Sequence, residues 1–145
     1  MPITALDLQK RTASLLQALE ALLPSVGGEE RGRKLAGKMI TACRQMDANY
    51  RHACASSSPD EFISRISQVT NNAKRTKATL MLLAQLDYLS IESVRELIVE
   101  ARGLENIFSA SRNTAKRRRR WTTRASAAKL TDRSRLGARD KGFGD

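Results

Sequence analysis

Apolar residues recur along this chain in steps of three and four and never in strict alternation, so the pattern predicts helices and no strands. The first run sets Leu8, Leu15, Leu16, Leu19, Leu22 and Leu23 on one face between about Thr4 and Leu23. Thr4 with Asp7 has the spacing of a capping box whose acid is one methylene short, and Pro24 through Gly28 predicts the stop. A second helix is predicted from about Glu29 to Ala55, with Leu35, Met39, Ala42, Cys43, Met46, Tyr50 and Ala53 along one stripe. Gly32 and Gly37 each lower its propensity by up to ~1 kcal/mol relative to Ala, which implies dependence on packing or close backbone approach.

Ser56-Ser57-Ser58-Pro59-Asp60-Glu61 is the clearest boundary: Ser58 suits the cap, Pro59 the first helical position, and Glu61 completes a capping box. The helix that follows is expected to bury Phe62, Ile66, Val69, Ala73, Thr76, Leu80 and Leu83, the four-and-three seam of a bundle. Near its end Leu80, Met81, Leu82, Leu83 and Leu86 are apolar nearly all round, so one seam cannot cover them. A second copy of the chain or a connecting loop must do so. After a short connection at Asp87 to Ser90, Ser90 caps a fourth helix with Val94, Leu97, Ile98, Ala101, Leu104 and Phe108 on one face, expected to fade near Thr114. Four amphipathic helices joined by short turns predict an all-α, up-down-up-down antiparallel four-helix bundle over residues 1–115.

A chain of 145 residues suits one such domain plus an appendage. The appendage is marked by charge: residues 1–115 hold fifteen Lys/Arg and twelve Asp/Glu, net +3, whereas residues 116–145 hold eleven and three, net +8. Little apolar surface remains there to offset ordering entropy, so 116–145 reads as a flexible basic tail, any helix reaching only into its arginines. The total of +11 makes polyanions or anionic surfaces the natural partners. No stretch approaches the ~20 apolar residues of a membrane span, and no basic-then-apolar leader opens the sequence; integral membrane association and export are not expected. Cys43 and Cys54 lie about 16 Å apart on one helix, beyond disulfide reach, which suits a reducing cytoplasm.

The stretch Ala48-Asn49-Tyr50-Arg51-His52-Ala53-Cys54, followed by Ser58 and then Glu61-Phe62, resembles the bacterial four-helix-bundle family named after the 23S rRNA intervening-sequence proteins. The similarity extends over most of residues 6–116, from Asp7-Leu8 and Lys10-Arg11-Thr12 to Thr114-Ala115-Lys116. The resemblance implies a homopentamer of bundles around a central channel and no enzymatic activity. It also implies kinship with the basic accessory proteins of diversity-generating retroelements, which bind nucleic acid and a reverse transcriptase.

The residues themselves offer little chemistry other than charge. His52 is the only histidine, and Cys54, two residues on, points about 200° away on a helix, so the two make no local nucleophile and base. Cys43, Asp47, His52 and Cys54 lack the spacings that put metal ligands on one face. No phosphate loop, dinucleotide fingerprint or calcium loop is present; neither enzyme nor cofactor is expected. The strong signal is Lys116, Arg117, Arg118, Arg119 and Arg120, five consecutive cations suited to phosphate, with Trp121 beside them to stack on an unpaired base or to dock on the bundle. Arg33, Arg44 and Arg51 fall within about 20° of one another along some 27 Å of the second helix and form a line that can track phosphates or stay solvated. Leu80, Met81, Leu82 and Leu86 are the candidate interface of the oligomer. The expected function is electrostatic binding of RNA or DNA; the alternative is an adaptor whose tail engages an acidic protein partner.

Overall fold

The computed structural model describes residues 3–144, with side-chain surroundings for residues 3–128 other than Ser126. Four helices follow in order: α1 (Ala5–Val26), α2 (Glu30–Cys54), α3 (Pro59–Gln85) and α4 (Ile91–Gly144). No strand occurs among the described residues. Neighbours in sequence are neighbours in space, and α1 closes the arrangement against α4; the α2–α3 and α3–α4 seams are the most extensive and α1–α4 the least. This is the expected antiparallel four-helix bundle.

Local chemistry sets the helix starts. The Thr4 side chain accepts from the Asp7 N–H at 3.1 Å and the Asp7 carboxylate accepts from the Thr4 N–H at 3.1 Å. Those two bonds, with Thr4's backbone contribution first, hold the Asp7 carboxyl below its usual range. Ser58 caps α3 by accepting from the Glu61 N–H at 3.1 Å. The reciprocal half of that box is shifted by one residue: the Glu61 carboxylate takes the N–H and hydroxyl of Ser57, at 3.2 and 3.0 Å. Ser90 caps α4 through the Ser93 N–H at 3.3 Å.

One helix end falls where the sequence predicts and one does not. Within the stop from Pro24 to Gly28, Pro24 sits in the last turn of α1 and the break comes at Gly27, whose φ of +82° a side chain would resist. The fourth helix does not fade near Thr114; it runs on to Gly144. Between Gly103 and Gly137 the chain has neither Gly nor Pro, and its Arg, Lys, Ala and Leu residues favour helix, so nothing local breaks it.

The core holds Leu15, Leu19, Met39, Met46, Ile66, Val69, Leu80, Leu83, Leu104 and Phe108, each nearly or fully buried. On α3 the inward residue of the first turn is Ile63, with Phe62 only half-buried beside the core. Tyr50 of α2 and Phe108 of α4 meet across the centre, ring centroids 4.9 Å apart and tilted by 39°. Polar bonds between helices add register. Thr12 donates to Asp47 at 2.7 Å, and buried Asn72, with its amide turned to the orientation its neighbours satisfy, accepts from the Asn49 amide of α2 at 3.0 Å. Arg11 grips both oxygens of Glu100 at 2.6 and 3.1 Å, fastening α1 to α4 where their packing is thinnest.

The surplus apolar surface at the end of α3 is covered largely from within. Asp87, at φ +62°, turns the chain so that the N–H groups of Tyr88 and Leu89 both donate to the Leu83 carbonyl, and Leu89 becomes buried. Tyr88 then lies over Gly32 and donates its hydroxyl to Glu29 at 2.7 Å. A Cβ on Gly32 would stand 2.7 Å from that ring, while one on Gly37 would meet nothing within 4 Å. The two glycines therefore predict opposite outcomes. Gly37→Ala is expected to raise stability by roughly 0.5–1 kcal/mol through helix propensity. Gly32→Ala is expected to lower it, because overpacking costs of about 1–3 kcal/mol outweigh that gain. Urea unfolding of the two variants checks both signs; a stabilised Gly32→Ala would show that Tyr88 does not pack there.

Candidate nucleic-acid interface

The basic run is held on a continuous helix, and this decides which cations act together. At about 100° per residue, positions 117, 120, 121 and 124 share one side of α4, while 118, 119 and 122 share the other. The structure bears this out in its surface relief. Arg117, Arg120, Trp121 and Arg124 line one shallow depression, and Asn113, Thr114, Lys116, Arg117 and Arg120 line a second that continues it toward the bundle. Trp121 is 74% exposed, so it does not dock on the bundle. An indole ring flanked by guanidinium groups is a platform for a base with phosphate donors beside it. Arg124 belongs to this platform, although it stands outside the five-cation run. Its signal was its place one turn beyond Arg120 and Trp121, visible only once α4 is known to continue.

On the opposite side, Arg118 and Arg119 face the α2–α3 turn across a groove of about 780 Å³. Arg119 donates to Asp60 at 2.8 Å and ties the extension to the start of α3. Arg118 makes no ion pair among the described residues, and the same holds for Lys116, Arg117, Arg120 and Arg124. The far wall of the groove is the serine-rich turn. Its shape is fixed by Glu61, whose carboxyl is held below its usual range by the Ser57 N–H first, then the Ser57 hydroxyl and Arg65. In the sequence Ser56 to Ser58 mark only a helix boundary capped by Ser58, because their proximity to α4 is a tertiary fact.

The arginine line on α2 is exposed along its length, but its members differ. Arg44 pairs with Glu20 at 3.4 Å and Arg51 with Asp47 at 3.6 Å, whereas Arg33 has no ion pair among the described residues. Arg33 and Arg44 border a second groove, about 430 Å³, floored by Leu23, Val26, Ala36 and Ile40 between α1 and α2. Arg51 does not line it.

The candidate oligomer surface is reduced by the fold. Leu80 is fully buried inside a single chain and offers nothing to a second copy, because it points into the bundle seam with Leu83. Met81, Leu82 and Leu86 are half-buried and keep some apolar surface outward.

The cysteines separate by environment. Cys43 is buried in the core, and burial first, then the carboxylates of Asp47 and Glu20, pushes its thiol up to about 12. Cys54 and His52 are both exposed at the end of α2. No group of three or more His, Cys, Asp or Glu side chains able to hold a metal is found among the described residues. No helix among them is long and apolar enough to cross a membrane.

No protein-family model matches this chain, and no curated protein matches it. The fold does match a solved structure, that of a protein of unknown function from the S23 ribosomal protein family of Bacteroides thetaiotaomicron. The TM-score is 0.65 at 16% identity, over 71% of this chain and 95% of that one. The two share a fold, and more than a quarter of the present chain has no counterpart in the neighbour.

Proposed function

We propose that this chain is a non-enzymatic, homo-oligomeric bundle protein that binds nucleic acid, RNA or DNA, by charge through the α4 extension. The observation that carries the reading is Trp121, 74% exposed on a helix face with Arg117, Arg120 and Arg124. Cations with no carboxylate partner among the described residues, held on a continuous helix, meet phosphates with little reorganisation and release the counterions condensed there. The contact is non-specific, since nothing on this face selects a base edge. Fluorescence titration with an oligonucleotide tests it: affinity is expected to fall about tenfold or more between 50 and 200 mM salt. Absence of binding even at the lower salt would overturn the reading.

The oligomer is a ring, five-fold by the family resemblance, with Met81, Leu82 and Leu86 as residual apolar surface for its contacts. Repetition of one weak basic face in a particle raises avidity without new contacts. Light scattering of the purified chain checks this, and a monomer would remove the ring.

A second reading has its own support. The groove between α1 and α2, apolar at Leu23 and Ile40 and bordered by Arg33 and Arg44, suits the acidic amphipathic helix of a protein partner. A chain ending at Thr114 separates the two. Loss of nucleic-acid affinity favours the first reading, whereas retained calorimetric binding of an acidic helical peptide favours a partner held in this groove rather than by the tail.

A further inference from the structure

The groove between the α2–α3 turn and α4 differs in kind from the outward Trp121 face. Its apolar lining comes from Phe62, Pro59 and Ala115, its α4 side carries Arg118 and Arg119, and Asp60 lines it as well, with its charge met by Arg119. Phe62 is half-buried, its inner side packed on the core and its outer side lining the groove. Arg118 has no ion pair among the described residues. Arg119 spends one guanidinium nitrogen on Asp60 at 2.8 Å, and its side chain remains 44% exposed, leaving donors toward the opening. The hydroxyls of Ser111 and Thr122 stand on the same wall as the arginines.

Size and chemistry together select an occupant. About 780 Å³ is far more than a phosphate group needs and falls in the range of sites that take a drug-sized molecule. An apolar aromatic floor beneath a cationic rim matches a nucleotide, flat ring below and phosphate above. A duplex supplies that shape only by flipping a nucleotide out of its stack, at a cost of a few kcal/mol. A single strand can swing one base out.

We infer that this groove receives one unstacked nucleotide of a single-stranded nucleic acid, its phosphate against Arg118 and Arg119 and its base against Phe62 and Pro59. The inference rests on the nucleic-acid reading above and adds the substrate class: single strands over duplexes. Charge alone predicts the reverse, since a duplex carries one phosphate charge per ≈ 1.7 Å of axis and so attracts a basic surface more strongly.

The test is fluorescence anisotropy on the full chain, with a labelled oligothymidylate and a labelled duplex of equal length at one salt concentration. The single strand is expected to bind about tenfold more tightly, the worth of one base–aromatic stack. Ala115→Leu narrows the groove at constant charge and adds no ring; it is expected to reduce that preference to the share Trp121 supplies while leaving duplex affinity within about twofold, and an undiminished preference would assign it to Trp121 alone and overturn the groove. Phe62→Leu, which keeps the floor apolar but removes the ring, is expected to weaken single-strand binding alone. Equal wild-type affinity for both probes overturns the groove and leaves the electrostatic reading intact. Equal losses on both probes in the two variants overturn the groove as well, and binding of neither probe overturns both readings.

Discussion

Phe108→Ala is expected to destabilise the bundle by about 3–5 kcal/mol, enough to unfold much of the population of a domain this size. The ring is fully buried and is the last fully buried residue of α4 among those described. Its truncation removes both the transfer energy of the ring and its tilted packing on Tyr50, 4.9 Å between centroids. The diagonal helices α2 and α4 are joined at the core through this pair, so neighbouring side chains on α1 and α3 cannot collapse into the void without shifting a helix. Tyr50 would also be left facing a cavity, and burial already pushes its hydroxyl upward from the usual phenol range. Urea unfolding followed by circular dichroism measures the loss; a change below about 1 kcal/mol would mean that the centre repacks freely.

Replacing Lys116, Arg117, Arg118, Arg119 and Arg120 together by Gln is expected to cost at least about a hundredfold in oligonucleotide affinity at moderate salt. The slope of log affinity against log salt should fall by about two to three rather than by the full value for five cations. Helix geometry sets that limit. Five consecutive residues spread around more than a full turn, so no one strand meets all of them, and Arg119 is already engaged by Asp60 at 2.8 Å. Gln has nearly the helix propensity of Arg, so helicity should be retained. An unchanged slope in a folded variant would move the binding surface elsewhere on the molecule.

Much of the fold was legible because its determinants are local. The Thr4 and Ser58 caps and the seam Ile66, Val69, Ala73, Thr76, Leu80, Leu83 are read from spacings within one or two turns, and the structure reproduces them. What failed to read was set by distance or by competition. A change of composition near Lys116 suggests an end to α4, but a run of cations does not by itself break a helix, and the stretch between Gly103 and Gly137 holds no Gly or Pro to weaken it. Phe62 was assigned inward where Ile63 is, because the first turn after Pro59 fits either phase until α4 packs against it. Leu80 reads as available to a second copy because the run from Leu80 to Leu86 is apolar nearly all round, and only the packed bundle shows that it shares the inward seam with Leu83. The candidate site divided in the same way. The cations and Trp121 are conspicuous in a linear string, but their division into an outward platform and a groove facing the serine turn follows from helical phase and tertiary proximity.

The unequal seams of the bundle fix where it opens. The α1–α4 boundary is the narrowest and leans on a single bidentate clamp, Arg11 to Glu100, while Gly27 and Gly28 supply a joint at the far end of α1. Local opening is therefore expected to begin with the first helix, like a strap on its buckle, before α2, α3 and α4 part, and hydrogen exchange should be fastest in α1. Those three helices retain Trp121 and the serine turn on one frame, so the face proposed to meet a polyanion is not the part that loosens first.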